Sequence, residues 1–570
     1  MTGGLLNIVS YGNQNIILNS NPKKSFFKTT YAKYTNFGMQ KFRIDFTGLR
    51  NLRMSEESRF TFTVPRYAEL VMDTYLVVTL PTIWSPIYPP LSCGDAWRPY
   101  EFRWIENLGT QMIKEITFSV GGQILQRMTG KYLLSQVQRD LNGTKRFLYD
   151  SMTGNTAELN DPANFSGRPG TYPNVYYNTS QQGPEPSIRG RRLYIPLNAW
   201  FCNNSRTAFP LVALQYNELQ IDVVMRPVRE LFVTRDINYA PHSITNSTPM
   251  TPAEVAQAPF IQPNFNEPEY QFYRFLQPPP VADISTSDVY SDKRTDWNAD
   301  VHLLSTYCFL SAEESRVFAS QEQKYLLKSA YEWDFKNVTG SHRVELQNTM
   351  GMVATWMFLF QRSDINLRNQ WSNYTNWDYS NAIPDDVMPA PATGDYPNPC
   401  PTPSPPNIGP GVEPSGTLSG LFITRDYNVK NQREILQQLG ILLNGSYREN
   451  MLEAGVYNYV EKYIRTTGSA PFGLYIYNFG MDASNATYQP SGAINMSKFS
   501  TIELEFTTYP PPLDPNANFY TICDPATGIP IGVNKPQWRI YDYNYDLTVL
   551  EERYNVLTFI GGNCALMYAR

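Results

Sequence analysis

Three histidines, six cysteines and a few paired carboxylates are the residues of this 570-residue chain best suited to chemistry. His242, His302 and His342 lack i, i+2 or i, i+4 spacing, so no zinc or cupin ligand pattern forms. His302 lies in the apolar stretch VHLLSTYCFL, where a hydrogen-bonded strand histidine is expected rather than a ligand. Cys93, Cys202, Cys308, Cys400, Cys523 and Cys564 are far apart with no CxxC pair. Glu503 and Glu505 share one strand face, as do Glu332 and Asp334, and two carboxylates can cleave a glycosidic bond. Both pairs alternate with apolar residues, so a solvated sheet face is the expectation. Trp371, Tyr374 and Trp377 are rings of the kind that stack on sugars, and equally of the kind that pack a long loop. No GxSxG, Walker loop or dinucleotide fingerprint occurs. The sequence therefore offers no catalytic residue, no metal site and no cofactor.

What remains is scaffold. Period-two alternation recurs along the chain and marks strands with one buried face. Phe42, Ile44 and Phe46 share a face, as do Phe60, Phe62 and Val64, and Ile116, Phe118 and Val120. Leu219, Ile221, Val223 and Met225 continue the pattern, as do Tyr331, Trp333 and Phe335, and then Ile502, Leu504 and Phe506. Gly121-Gly122 and Asn444-Gly445 supply hairpin turns. Helical text is short: TGKYLLSQVQRDL after a Thr129 cap, and SAEESRVFAS with Ser311 three residues before Glu314. Irregular stretches fall at about 84–104, 142–190, 238–300, 364–420 and 509–540, the fourth of them dense in proline. Many strands with few helices predict a β-sandwich architecture. FSVGGQILQRMTG and ILLNGSYRENMLE share a layout, and each is followed by an apolar segment feeding a strand. That echo predicts two sandwiches of one plan, joined near Met225–Leu231.

Composition narrows the partners. A net charge of −5 argues against a direct nucleic-acid role, and Arg189, Arg191 and Arg192 read as a solvated loop edge. No apolar run approaches the ~18 residues of a membrane span. The opening MTGGLLNIVSYGNQNIILNSNPKK interrupts its apolar residues with Asn7 and puts its lysines after them, the wrong order for a signal peptide. Reduced thiols in a cytosolic setting are the corresponding expectation.

Several stretches resemble the major capsid proteins of nucleocytoplasmic large DNA viruses. These are the opening GGLLNIVSYGNQNIILNSNPKKSFFKTTYAKYTNF, then SVGGQILQRMTGKYL and LYIPLNAWFCNNSRTAFPLVALQYNELQIDV. ILLNGSYREN, GLYIYNFGMDASNATYQPSGAINMSKFSTIELEF and YNVLTFIGGNCALMY follow in that family's order. The signature positions are Gly121, Gly122, Asn444, Gly445, Gln489, Pro490, Ser491 and Gly492.

The resemblance implies an all-β double jelly roll: two eight-stranded antiparallel sandwiches with short helices and long crown loops. It implies an N-terminal arm at 1–25, jelly roll 1 at 26–227 and jelly roll 2 at 228–570. The second would hold a proline-rich loop at about 384–416 and a C-terminal strand at about 554–568. It further implies homotrimeric pseudo-hexagonal capsomers in an icosahedral shell around an internal membrane, assembled in host cytoplasm. Expected partners are neighbouring capsomers, minor capsid and penton proteins, that membrane, and the host surface through the crown loops. Leu5, Leu6, Ile8, Val9, Lys23 and Lys24 are the assembly-arm residues on this view. A glycan-binding or glycan-cleaving sandwich is the alternative; it requires converging carboxylates and an open aromatic groove.

Overall fold

Alternating apolar residues become sixteen main strands in two sets of eight, seen in a computed structural model. It describes residues 12–568 except 49–50, 89–97, 168–169, 174–183, 237–257, 279–292, 294–295, 348–349, 380–431, 486–488, 513–519, 524–529 and 535–540. The first set is β1 (Phe37–Ile44), β2 (Ser58–Thr63), β3 (Leu70–Thr79), β4 (Ile113–Val120), β5 (Gln123–Thr129), β6 (Arg192–Pro196), β7 (Leu219–Met225) and β8 (His302–Leu310). The second is β9 (Gln323–Phe335), β10 (Ser341–Glu345), β11 (Met352–Arg362), β12 (Leu436–Leu443), β13 (Ser446–Glu453), β14 (Leu474–Asn478), β15 (Ile502–Thr508) and β16 (Tyr545–Ile560).

The sheets of the first set run β1-β8-β3-β6 and β2-β7-β4-β5. Those of the second run β9-β16-β11-β14 and β10-β15-β12-β13, which is the same order eight strands later. Each set is an eight-stranded antiparallel jelly roll. The internal echo in the sequence is this duplication: its two segments are the β4-β5 and β12-β13 hairpins. Gly121 and Gly122 have φ of 57° and 81°, and Asn444 and Gly445 have 51° and 76°. Positive φ at both central residues is what a type I′ two-residue hairpin turn requires.

The alternating residues lie where period two puts them. Phe60, Phe62, Phe118, Ile221 and Val223 are fully buried in the first core, and Ile502, Leu504 and Phe506 are buried in the second. Burying one such side chain contributes about 1.5–3 kcal/mol.

Strand direction also sorts the connections. With every neighbour antiparallel, the links β1–β2, β3–β4, β5–β6 and β7–β8 leave from one end, and β2–β3, β4–β5 and β6–β7 from the other. All five long irregular stretches fall on links of the first kind in their own jelly roll. The tight turns, the start of β1 and the end of β8 share the opposite end, called the base here.

Three expectations are corrected. A join at 227/228 assigns His302–Leu310 to the second half, but β8 lies between β1 and β3, pairing Leu303 with both Ile44 and Leu76. Residues 226–301 are therefore the β7–β8 link of the first jelly roll, and Val228, Leu231, Phe232, Phe272 and Phe275 are buried in its core. The join falls after Leu310, at helix α3 (Ala312–Ser320), where Ser311 Oγ accepts the Glu314 N–H. The final strand begins at Tyr545 rather than near 554, and it turns at Gly561-Gly562 into a short return strand, Asn563–Leu566. Within the stretch read as irregular at 142–190 lies helix α2 (Gly143–Thr153), capped by Asn142 and ended by Gly154 at φ 81°. Helix α1 (Gly130–Asp140) has the expected Thr129 cap, its hydroxyl accepting the Tyr132 N–H.

Candidate assembly surfaces

Helix α1 follows β5 without a break and lies against the outer face of the second jelly roll. It is buried on nearly all sides, polar residues included. Lys131 Nζ donates to Thr548 Oγ1 at 2.8 Å, and Thr129 Oγ1 donates to Glu332 at 2.8 Å. Tyr132 OH donates to Glu552 Oε1 at 2.8 Å, and Arg139 Nη1 donates to Glu552 Oε2 at 2.8 Å. Arg139 also grips Asp140 through Nε and Nη2, at 2.7 and 3.0 Å. Asn485 Nδ2 donates to Glu552 Oε1 at 3.1 Å, and the Lys328 ammonium stands 4.0 Å from Oε2. Arg139 and Glu552 are both wholly out of solvent.

Burial alone would push the Glu552 carboxyl up, but the charges of Arg139 and Lys328 outweigh it and hold it below its ordinary value. Its neighbour Glu551 points to the other face, takes the Trp356 indole N–H at 2.6 Å, and is pushed up by burial. A buried ion pair of this kind sets geometry more than it adds stability. Here it spans the joint between the two jelly rolls.

The base gathers the signature turns. Asn217, beside Gly121, donates from Nδ2 to Asn563 Oδ1 at 2.7 Å, and the Gln215 N–H donates to Gly562 O at 2.9 Å. These bonds tie the β6–β7 link of one jelly roll to the end of β16 in the other, so the two bases lie side by side. A Cβ on Gly121 would stand 2.8 Å from the Asn217 side chain. Asn444 Oδ1 accepts the Ser500 N–H at 2.8 Å and so pins the β12-β13 turn to the residues leading into β15. Gln489 and Pro490 are exposed; Ser491 Oγ donates to Asp482 O at 2.6 Å, and Gly492 has φ 127° with Gly480 Cα 3.1 Å from where its Cβ would be. Gly121, Gly122, Asn444, Gly445 and Gly492 are thus turn or close-approach residues.

Leu5, Leu6, Ile8, Val9 and the proline-rich loop at 384–416 lie outside the described residues. Lys23 and Lys24 are exposed, and Lys24 stands 5.4 Å over the Phe26 ring. Ile16, Ile17, Leu18, Phe26, Phe27, Tyr31 and Tyr34 are exposed along the same segment. Cys202 and Cys564 have thiols pushed up to about 12 by burial.

The residues best suited to sugar chemistry do other work. Trp371 donates from Nε1 to Glu230 O at 2.9 Å under the Arg226 guanidinium, and Tyr374 is buried in the first core. Trp377 lies near the Arg433 guanidinium. Trp371 and Tyr374 pack the loop after β11 onto the first jelly roll. Glu503 pairs with Arg343 at 3.3 Å, Glu505 accepts the Tyr447 hydroxyl, and Glu332 and Asp334 both face Lys131. His302 Nδ1 lies 2.7 Å from Asp300 O, and among the described residues no three His, Cys, Asp or Glu side chains gather as a metal site.

Comparison with known proteins agrees with this geometry. Residues 25–257 match the family described as major capsid protein N-terminus, and residues 314–565 match the large eukaryotic DNA virus major capsid protein family. The major capsid protein of Phaeocystis pouchetii virus is 26% identical over 100% of both chains. That of Chrysochromulina ericina virus is 32% identical over 45% of this chain and 46% of its own. In fold, the chain is similar to the PBCV-1 virus capsid at a TM-score of 0.57 and 17% identity, covering 96% of this chain and 100% of that one. It is likewise similar to the Faustovirus major capsid protein at 0.58 and 12%, covering 94% and 93%. With both jelly rolls matched in order, the chain belongs to the major capsid proteins of large eukaryotic DNA viruses.

Proposed function

We propose that the chain forms homotrimers that act as pseudo-hexagonal capsomers of an icosahedral shell. One observation carries this reading: two jelly rolls of the same strand order stand side by side with their bases level. Three such chains present six near-equivalent corners. The long links then form an outward crown that meets the host surface, and the bases face the internal membrane and the minor capsid proteins. Penton proteins and neighbouring capsomers complete the shell, which assembles in host cytoplasm.

The arm at 1–25 and the exposed apolar residues up to Tyr34 lie beneath the shell. Ordering such a segment costs roughly 1–2 kcal/mol per residue in backbone entropy. Neighbouring proteins in the shell supply the contacts that offset it. No observation favours the glycan reading, because its aromatic and acidic residues are engaged in packing and ion pairs.

Size-exclusion chromatography with light scattering tests the proposal. At micromolar concentration and moderate salt the protein should have three times the 65.2 kDa chain mass. A monomer under those conditions refutes it.

A further inference from the structure

Charge is unevenly shared along this chain. It carries 47 basic side chains against 52 acidic ones, yet its first carboxylate is Asp45, and six of the basic side chains precede that residue. One of the six, Arg43 on β1, is held by Asp45 and Asp300. Lys23, Lys24, Lys28 and Lys33 crowd into eleven residues of the arm, and among the described residues no carboxylate pairs with them. Rings are interleaved with these lysines: Phe26, Phe27, Tyr31 and Tyr34 are all exposed, Phe27 completely. Ile16, Ile17 and Leu18 lie open just before them. Soluble chains seldom leave so many large apolar side chains open on one short stretch, and such a patch marks an interaction site.

The arm leaves from the base, where β1 begins. The base has open apolar side chains of its own: Tyr216 in the β6–β7 link, Met481 in the β14–β15 link, and Tyr568 past the end of β16. Eleven residues separate Phe26 from Phe37, so the ring can stand as much as about 36–40 Å from the strand that tethers it. Three kinds of partner take lysines and rings together. A protein groove must order the segment, at roughly 1–2 kcal/mol per residue. Nucleic acid offers phosphates to the lysines and bases to the rings, but nothing to the aliphatic run Ile16–Leu18. An anionic bilayer uses all three: headgroups for the lysines, the interface for the rings and the acyl edge for the aliphatic side chains, with the backbone left free. No helix among the described residues is long and apolar enough to cross a membrane, so this mode of binding lies on the surface.

We infer that residues 16–34 bind the anionic headgroups of a lipid bilayer. The four lysines meet lipid phosphates and carboxylates, and the four rings sit between headgroups and acyl chains. This inference rests on the capsomer reading above, in which the bases face the internal membrane, and it names the lipid chemistry that the arm takes there. Each lysine near an anionic surface contributes about fivefold in affinity at low salt. The contact is exposed, so it weakens as salt shortens the Debye length. The arms of one oligomer act together, and contacts that are weak singly become strong.

Flotation of the full chain with phosphatidylcholine vesicles, with and without phosphatidylserine, tests it. The expected result is flotation with the mixed vesicles, none with phosphatidylcholine alone, and release in high salt. Changing Lys23→Gln, Lys24→Gln, Lys28→Gln and Lys33→Gln together should weaken binding at least about 100-fold while the far-ultraviolet spectrum and the mass by light scattering stay those of the parent. Phe26→Ser with Phe27→Ser should weaken it about tenfold, because binding also scales with buried apolar area. Trypsin reads the location in the parent itself: cleavage after Lys24 and Lys28 should slow when mixed vesicles are added and not with phosphatidylcholine alone. Unslowed cleavage on the mixed vesicles overturns the inference whatever the variants do. A trimeric parent that does not float, or floats equally on neutral vesicles, overturns it and leaves the capsomer reading standing. Undiminished flotation of the four-lysine variant puts the lipid site elsewhere and overturns it too. A parent that binds single-stranded DNA more tightly than mixed vesicles at the same salt makes the arm a nucleic-acid element, with the same consequence. A monomeric parent that floats overturns the capsomer reading and leaves the lipid site standing.

Discussion

Glu552→Gln removes the charge at the centre of the internal joint and leaves its shape. The amide still accepts from Tyr132 and Asn485, but Arg139 loses the carboxylate 2.8 Å from Nη1. Two buried cations, Arg139 and Lys328, are then left with Asp140, and with Asp482 beside Lys328. Removing one partner of a buried pair typically costs about 3–5 kcal/mol, and the conserved shape argues for the lower end, about 3 kcal/mol. Arg139→Met with Glu552→Leu removes both charges and should cost at least about 2 kcal/mol less than the sum of the single changes. Urea unfolding at one fixed protein concentration, followed by tryptophan fluorescence, reads both quantities. The pH dependence has a definite sign. Glu552 in the folded chain is held below its ordinary value, so its contribution is present above about pH 4.5 and is lost as pH falls through the folded value. The acid limb of stability should therefore be shallower in Glu552→Gln than in the parent. A cost below about 0.5 kcal/mol, or single costs that simply add, would refute the ion pair as the element that locks the joint.

Deleting residues 1–24 should leave the trimer and its melting temperature unchanged but prevent closed shells in an assembly assay; loss of folding would make the arm part of the core. Replacing residues 388–412 with a short Gly/Ser linker should barely move trimer stability, since closure entropy varies slowly with loop length. Limited proteolysis should cut first in that stretch with the trimer intact, and protection there would count against a crown position. Gly468→Ala should cost about 1–3 kcal/mol in the same urea assay, because its Cβ would stand 2.5 Å from Arg139 O at the joint. Lys462 is half-buried and its ammonium is pushed down to about 7 by desolvation, although Glu434 opposes the shift. The unfolded chain then holds the extra proton, so this residue's contribution rises with pH from about 7 toward 10.5, and Lys462→Met should flatten that slope in urea titrations.

Much of the scaffold was legible because period two is a direct image of a half-buried strand. The Phe60–Phe62–Val64 and Ile502–Leu504–Phe506 faces needed nothing but alternation, and Gly121-Gly122 and Asn444-Gly445 announced their turns. The join was misplaced for a physical reason. His302–Leu310 is covered on most of both faces and therefore lacks alternation, and the proline-rich link before it resembles a spacer between domains. Helix α2 was signalled by Asn142 and by Gly154, its two caps, inside text that otherwise looked irregular. The joint was not legible at all. Arg139 and Glu552 are 413 residues apart, and each alone looks like an ordinary surface charge. Trp371 and Tyr374 suggested a platform equally well, until their partners Glu230 and the first core were seen.

Electron cryomicroscopy of the purified oligomer, viewed down its symmetry axis, tests the central claim most directly. The account predicts threefold particles with a hexagonal outline and six jelly-roll lobes. Particles with two or four chains would contradict it.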